Sequence, residues 1–404
     1  GRFGSTSGLS GVSTGSQVLN LVTFVVTQLA MGITVLIARY LGEKKEEQIG
    51  SIIGGGTVVF AAISLVLFVI MVGFARPIAV LMQAPEEAVG LTAAYIRICG
   101  AGIFFIVAYN VLSAIFRGLG DSNSPLLFVF VACIVNVVGD LVLVAGLGMD
   151  AMGAALATVF AQALSVVFAI VRLVKKGLPF TITGYDFRWN PQCGKFLQIG
   201  LPLALQECLT QGSFLALCAF VNRLGLEASS GYGVACKIVN FAMLIPGALM
   251  QSTSSFVSQN VGAGEQKRAK KAMFTGIGIG LLVGCFAFSL VFFRGDLLAG
   301  IFSADAAVVQ RGYEYLKGFA PETLLTAVLF SMMGYFNGNG KTVWVMLQGL
   351  IQTLLVRLPF AYYMSIQPDA SLTNIGLAAP ISTAVGIVLN VAYFLYLEHA
   401  AKRS

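Results

Sequence analysis

A carboxylate and an amide lie one helical turn apart inside a long apolar stretch of the chain. Asn136 and Asp140 occur between Leu126 and Ala145, a stretch that is otherwise apolar. An ionisable group near the middle of a bilayer costs roughly 2.5–3.5 kcal/mol on insertion scales, so an Asp without a function is disfavoured there. Because residues at i and i+4 share one face of a helix, both side chains point into the same space. Asp140 is therefore the first candidate functional residue.

A hydroxyl lies opposite this carboxylate if the stretch folds back as a helical hairpin. The turn falls at Gly146–Met149, and Asp140 and Thr158 are equally distant from Met149 in sequence, so we expect them at about the same depth. An amide oxygen, a carboxylate and a hydroxyl together suit a hard cation, whereas a desolvated carboxyl group also takes up a proton readily. The alternative is a polar cluster whose members only form hydrogen bonds with one another. The pattern predicts a cation or proton site at Asn136, Asp140 and Thr158.

Three ionisable side chains in the second half of the chain also fall within apolar stretches. Glu207, Lys237 and Glu322 are each costly in lipid, so pairing or exposure to a water-filled cavity is expected. All three are candidates for lining such a cavity. We predict an ion pair between Lys237 and one of the two carboxylates.

The first apolar stretch has a polar stripe at helical spacing. Such a stripe lines a water-filled cavity or bonds to neighbouring helices, as Ser, Thr and Gln also do in membranes. The stripe consists of Ser13, Gln17, Asn20 and Thr27. Ser13, Gln17 and Asn20 are kept as cavity candidates.

The composition indicates an integral membrane protein. Of the 404 residues, 57% are hydrophobic and 11% are charged, against about 25% charged residues in soluble domains. Runs of about 20 apolar residues cross the hydrocarbon as helices, and the alternation typical of a membrane β-barrel is missing. The cysteines have no metal-type or redox-type spacing. A single histidine, His399, cannot form a histidine-based metal site or a catalytic triad, so no enzyme is expected.

The distribution of basic residues predicts the orientation in the membrane. We count about eleven apolar spans in the sequence. About sixteen Lys and Arg residues lie at one set of span ends and about five at the other, which places the richer side in the cytoplasm. The net charge of +7 follows this bias, so nucleic acid is not an expected partner.

The two halves of the chain repeat at an offset of roughly 220 residues. Phe116–Gly120 aligns with Phe336–Gly340, and equivalent loops lie on the same side of the membrane, so the repeats are parallel. At this offset the start of the chain corresponds to a stretch that follows a whole span. We therefore expect the first helix to be missing from this chain. The predicted divisions are an amino-terminal lobe at 1–176, a cytoplasmic linker at 177–195 and a carboxy-terminal lobe at 196–404.

Three motifs resemble those of the multidrug and toxic compound extrusion (MATE) family, namely Arg117–Pro125, Gly200–Pro202 and Gln259–Gly264. The resemblance extends over essentially the whole chain. It implies an all-α integral membrane protein with two parallel six-helix repeats around a central cleft, of which about eleven helices are present here. It also implies a multi-pass protein of the cell membrane, plasma or inner, that exports small organic cations and drugs by alternating access.

The resemblance also assigns a role to the candidate site. In many prokaryotic members an Asn and an Asp four residues apart on the fifth helix, with a Thr on the sixth, hold the coupling ion. Asn136, Asp140 and Thr158 match that pattern. The coupling ion is thus a sodium ion at Asp140 or a proton, with no other cofactor, and a further Asp is expected on the missing first helix. In another branch, acidic residues on the seventh and tenth helices bind the ion, and Glu207 and Glu322 lie on those helices.

Two other functions are compatible with these patterns. A flippase for a lipid-linked precursor, as in related members of the wider superfamily, predicts a more basic cleft. A non-transporting membrane scaffold does not require Asp140. Efflux measured for wild type and Asp140→Asn under imposed sodium and proton gradients distinguishes all three.

Overall fold

The computed structural model describes residues 6–176 and 181–402. Every regular element within these ranges is a helix. The chain divides into two compact units, Gly1–Ala204 and Leu205–Ser404, which are named unit 1 and unit 2 below. The all-α fold predicted from the apolar runs is confirmed.

Unit 1 consists of seven helices and the first part of an eighth, which continues into unit 2. Its helices are α1 (Thr6–Gly42), α2 (Ile49–Gly73), α3 (Ala75–Leu81), α4 (Val89–Ala101), α5 (Ile103–Gly118), α6 (Asn123–Asp140), α7 (Asp150–Lys176) and the start of α8 (Pro191–Asn222). A π-helical segment, Leu141–Gly146, follows α6 without a break.

Unit 2 contains the rest of α8 and eight further helices. These are α9 (Leu226–Gly262), α10 (Gln266–Gly300), α11 (Ala306–Phe319), α12 (Glu322–Gly338), α13 (Thr342–Leu350), α14 (Leu358–Ser365), α15 (Leu372–Gly376) and α16 (Ala378–Ala401). A second π-helical segment, Ile351–Arg357, joins α13 to α14.

The lengths and hydropathy of these helices fit a protein that crosses a membrane many times. In the described ranges, nine helices or continuous helical runs are long and apolar enough to cross, and two bent helix pairs bring the total to eleven. One pair is α4 with α5, bent by 54°, and the other is α11 with α12, bent by 48°. The total agrees with the predicted number of spans.

The repeat motifs of the two halves form the same local structure at the end of a helix. After α5, Gly120 has φ +79°, and after α12, Gly340 has φ +74°, a backbone conformation that favours glycine. The following N–H groups of Asp121 and Lys341 donate to the Phe116 and Phe336 carbonyl oxygens at 2.9 and 2.8 Å. Each motif is therefore a glycine-dependent helix cap that closes a span and begins the next.

The start of α8 belongs to unit 1 because two glycines let it pack directly against α1. A Cβ atom added to Gly200 would overlap the Leu29 carbonyl oxygen, and one added to Gly32 would overlap the Phe196 carbonyl oxygen. The two backbones therefore touch. The start of α8 up to Ala204 accordingly lies in unit 1.

The described part of the linker predicted at 177–195 is fixed to unit 1. Ser51 on α2 donates to Asp186 at 2.8 Å, and Asn190 donates to the Ser51 carbonyl oxygen at 2.9 Å. A Cβ atom on Gly54 would overlap the Asp186 backbone. The face of α2 that carries Ser51 and Gly54 therefore packs on this segment.

A polar cluster joins the ends of α6 and α7 on the side that the basic residues place in the cytoplasm. The Asp121 carboxylate accepts hydrogen bonds from Ser124 Oγ at 2.6 Å and from Lys176 Nζ at 2.7 Å. Arg172 Nε in turn donates to Ser124 Oγ at 2.7 Å. Partial burial raises the pKa of Asp121, but the bonds from Lys176 and Ser124 outweigh it and lower the pKa to about 2.

This cluster is expected to stabilise the protein at neutral pH and to lose that effect in acid. The pKa of Asp121 in the folded protein is about 2, below the value of about 3.9 for an unfolded chain. The carboxylate therefore favours folding above about pH 4, and its contribution disappears as the pH falls through about 2. Thermal unfolding in detergent should show Asp121→Asn less stable than wild type near neutrality, with a difference that shrinks below about pH 4.

Asp369→Asn is the matched control, because Asp369 is exposed and has no hydrogen bond or ion pair to any residue that the structure describes. Its effect on the unfolding midpoint should stay small at every pH. An Asp121→Asn deficit that persists undiminished at about pH 3 would show that the ionised carboxylate is not its source.

Candidate functional site

The predicted site lies where α6 and α7 touch. The two helices are joined by the π-helical segment and a short turn in which Gly148 has φ +64°. A Cβ atom added to Gly139 would come within 2.9 Å of the Ala157 Cβ. Small residues next to Asp140 and Thr158 therefore let the helices approach closely at the level of the site.

On this contact the structure bonds Asn136 to Thr158, and Asp140 lies one helical turn from Asn136 at the end of α6. Asn136 Nδ2 donates to Thr158 Oγ1 at 3.3 Å, and the Thr158 hydroxyl donates to the Ala154 carbonyl oxygen at 2.9 Å. Asp140 is half-buried, and its Oδ1 is enclosed without a hydrogen-bond partner among residues 6–176 and 181–402. Because a buried carboxylate oxygen is costly when unpaired, this group calls for a proton or a cation.

Tyr95 on α4 is a member of this cluster that sequence reasoning missed. It is buried, with 4% of its surface exposed, and it interacts with Thr158, Cys99 and the charge of Asp140. Its ring packs directly against α1, since a Cβ atom added to Gly15 would overlap the Tyr95 ring. Tyr95 and Cys99 have the same four-residue spacing as Asn136 and Asp140. This spacing puts both side chains on one face of α4, and it is the feature of the sequence that could have indicated Tyr95.

The donor set favours a singly charged ligand. Within the described residues, no group of three or more His, Cys, Asp or Glu side chains is arranged to hold a metal ion. Divalent hard cations usually take six or more oxygen ligands, often including several carboxylates. One carboxylate beside an amide and a hydroxyl instead balances the charge of one monovalent cation or one proton.

The polar stripe of α1 separates into two parts with different surroundings. Ser13, Gln17 and Asn20 are exposed on the surface of unit 1. Thr27, about two turns beyond Asn20, donates to Asn110 Oδ1 of α5 at 2.7 Å. The first three therefore remain candidates for contact with a ligand, and Thr27 serves helix packing.

Glu322 begins α12 inside a second polar cluster that sequence reasoning recognised only in part. It is 6% exposed, and its Oε1 accepts from Thr383 Oγ1 at 2.8 Å. Gln352 Nε2 donates to the same hydroxyl at 3.0 Å, and Gln348 Nε2 donates to Gln352 Oε1 at 2.6 Å. The four-residue spacing of the two glutamines on a membrane span was the missed signal. Glu322 Oε2 is enclosed without a partner in the described part of the chain.

The predicted ion pair of Lys237 with Glu207 or Glu322 is wrong. Lys237 is exposed, and its Nζ lies 5.7 Å from the centre of the Phe302 ring, with no carboxylate within 4 Å in residues 6–176 and 181–402. Glu207 accepts instead from Gln211 of its own helix at 2.7 Å. The pair fails because Lys237 is on the exposed side of α9, whereas Glu322 is enclosed.

Comparison with known proteins finds a matching family model and similar relatives over most of the chain. The family model MatE matches residues 1–142 and 202–363. The probable multidrug resistance protein YpnP of Bacillus subtilis (strain 168) is 27% identical over 70% of this chain, and the match spans only 64% of YpnP. The multidrug export protein MepA of Staphylococcus aureus (strain NCTC 8325 / PS 47) is 26% identical over 80% of this chain and 72% of its own length.

Solved structures show the same fold. A multidrug resistance MATE family transporter of the MOP superfamily, in an outward-facing conformation, superposes with a TM-score of 0.93. The superposition covers 99% of this chain and 90% of that one, at 21% sequence identity. At that identity the likeness establishes the architecture of the helices.

Proposed function

The chain belongs to the MatE family of multidrug efflux transporters, and on that premise we propose that it exports organic cations and drugs in exchange for a coupling ion bound at Asp140. It is a multi-pass membrane protein and not an enzyme. The observation that carries the proposal is the enclosed, unpartnered Oδ1 of Asp140 next to the bonded pair of Asn136 and Thr158.

Each residue of the proposed site has a different role in binding the ion. The Asp140 carboxylate supplies the negative charge. Asn136 uses its amide nitrogen in the bond to Thr158, so its oxygen stays available to a cation, and Tyr95 also interacts with Thr158. If the ligand is a proton, it sits on Asp140, and the same neighbours orient the neutral carboxyl group.

Alternating access follows if the ion and the drug stabilise different conformations. A ligand shifts a conformational equilibrium only by the difference in its affinity for the two states. An ion at Asp140 and an organic cation elsewhere on the protein thereby exchange, since each lowers the affinity for the other by the same factor. Ser13, Gln17 and Asn20 offer exposed polar groups on α1 for the organic cation.

The proposal is tested with the purified protein in liposomes that contain ethidium, a fluorescent organic cation. Transport is followed under an imposed sodium gradient and, separately, under a pH gradient. We expect one of the two gradients to drive ethidium movement, and the effective one identifies the coupling ion. Movement that neither gradient accelerates would overturn exchange as the mechanism.

Thr158→Val is expected to weaken binding of the coupling ion about tenfold, because it removes one neutral oxygen ligand and the hydrogen-bond partner of Asn136. The measurement is the concentration of the effective ion that gives half-maximal transport. Thr158→Ser should remain near wild type. Thr57→Val is the control, since the Thr57 hydroxyl bonds only to the Ile53 carbonyl oxygen of its own helix, at 2.8 Å. Equal ion dependence in Thr158→Val and Thr57→Val would remove Thr158 from the site.

A further inference from the structure

The end of α7 forms a basic cavity that the proposed exchange does not use. A cavity of about 460 Å³ lies there, lined by Phe168, Val171, Arg172, Lys175 and Lys176. The bias of basic residues places this end of α7 on the cytoplasmic side of the membrane. Two apolar and three cationic side chains thus share one cavity at the end of a membrane-spanning helix.

Two of the three positive charges are not balanced by the protein. Lys176 is paired with Asp121 at 2.7 Å, and the same carboxylate accepts from Ser124. Arg172 bonds through Nε to the neutral Ser124 hydroxyl at 2.7 Å. Lys175 is exposed and, like Arg172, has no carboxylate within 4 Å in the described ranges. The cavity therefore presents a net positive charge.

The position of Arg172 is fixed before any ligand arrives. Its Nε bond to Ser124 holds the guanidinium plane, since Ser124 is itself buried and bonded to Asp121. A planar guanidinium held in this way presents its remaining N–H groups as a fork, which matches the oxygens of a phosphate. Lys175 adds a mobile charge beside it.

The apolar side of the cavity identifies the class of ligand. Phe168 and Val171 line the same cavity as the cationic side chains, and the neighbouring Val167 and Val174 are exposed on the same apolar span. A soluble phosphate offers nothing to these side chains. A phospholipid offers a phosphate to the bases and acyl chains to the apolar wall.

We propose that Arg172 and Lys175 bind the phosphate of an anionic phospholipid of the cytoplasmic leaflet, with its acyl chains against Phe168 and Val171. An anionic lipid is favoured over a zwitterionic one because the cavity offers cations and no free carboxylate for a headgroup amine. The volume is in the range of small-ligand sites, about 300–1,000 Å³, and accommodates a headgroup.

The lipid would act on the helix pair that holds the coupling site. Arg172 and Lys176 tie α7 to the start of α6, and the same two helices hold Thr158, Asn136 and Asp140 further along. A lipid bound to Arg172 therefore directly contacts a residue that joins these two helices by a hydrogen bond.

The test uses the full chain in detergent and native mass spectrometry, with dioleoyl phosphatidylglycerol and dioleoyl phosphatidylcholine as probes of equal chain length. Wild type should bind phosphatidylglycerol more tightly than phosphatidylcholine. Each positive charge removed should weaken phosphatidylglycerol binding about fivefold. The affinity should therefore fall about fivefold in Lys175→Gln and about 25-fold in the double variant Arg172→Gln with Lys175→Gln. Phosphatidylcholine binding should change little.

Two further variants distinguish the proposed site from a general effect of surface charge and from a loss of folding. Lys267→Gln with Arg268→Gln removes two exposed charges at the start of α10 and should leave lipid binding unchanged. Lys175→Gln alone removes an exposed side chain with no hydrogen bond in the described chain, so it tests the site even if the double variant fails to fold. Equal losses in both double variants, unchanged binding in Lys175→Gln, or displacement of the lipid by equimolar inorganic phosphate would each overturn the proposal.

Discussion

Asp140→Asn is expected to lower ion-driven efflux strongly, by a factor of about 5–150, while the protein still folds. Asn has nearly the same volume as Asp but carries no charge and takes up no proton at neutral pH, so neither candidate coupling ion can bind as before. Coupling free energies between two sites typically correspond to factors of about 5–150. The ethidium efflux rate under the effective gradient should fall by a factor in that range.

Folding of the variant is expected because the carboxylate makes no bond that the substitution breaks. Asp140 Oδ1 has no hydrogen-bond partner in the described part of the chain, and the bond of Asn136 to Thr158 does not include it. The unfolding midpoint in the absence of the coupling ion should therefore equal or exceed that of wild type. The stabilisation that wild type gains from added ion should vanish in the variant.

Glu322→Gln provides the discriminating comparison. Glu322 is also enclosed, with one unpartnered oxygen, and it is the alternative coupling residue in unit 2. If Asp140→Asn keeps wild-type efflux and Glu322→Gln loses it, the coupling site belongs to unit 2 and the assignment to Asp140 is wrong.

Gly200→Ala is expected to destabilise unit 1 severely. Its Cβ would overlap the Leu29 carbonyl oxygen of α1, and a backbone atom cannot turn away as a side chain can. Relief requires α8 and α1 to separate, and overpacking of this kind typically costs about 1–3 kcal/mol, sometimes more. The yield of folded protein and the midpoint of thermal unfolding in detergent should both fall.

Gly194→Ala gives a control on the same helix. A Cβ atom at Gly194 meets nothing within 4 Å, so the substitution should be neutral or should stabilise the helix by up to about 1 kcal/mol. The two alanine variants are therefore expected to change stability in opposite directions. Equal stability of the two would mean that the close contact of α1 and α8 does not exist in the folded protein.

The features predicted correctly from the sequence are those set by local geometry. The number of spans follows from the thickness of the bilayer. The meeting of α6 and α7 follows from the short turn between them. Counting outward from Met149 predicted Thr158 opposite Asp140, whereas the structure bonds Thr158 to Asn136. The number of spans and the meeting of α6 and α7 are both consequences of helix dimensions along one continuous stretch of chain.

The features that were missed depend on which helices become neighbours. Tyr95 joins the site from α4, and Thr383 reaches Glu322 from α16. Spacing along one helix gives the face on which a residue lies but not the helix that covers that face. The pairing predicted for Lys237 failed for this reason.

The π-helical segment after Asp140 determines which residues of the hairpin meet. A π-helix places more residues in each turn than an α-helix, so the α6 arm is more compressed than the α7 arm. Thr158 bonds to Asn136 rather than to Asp140. Deleting one residue from Leu141–Gly146 would replace the wide turn by α-helical winding with little net rotation, because a π-helical turn holds about one residue more than an α-helical turn. Deleting a second residue would rotate Asp140 by about 100° relative to Thr158 and so change the ligand set without altering any ligand.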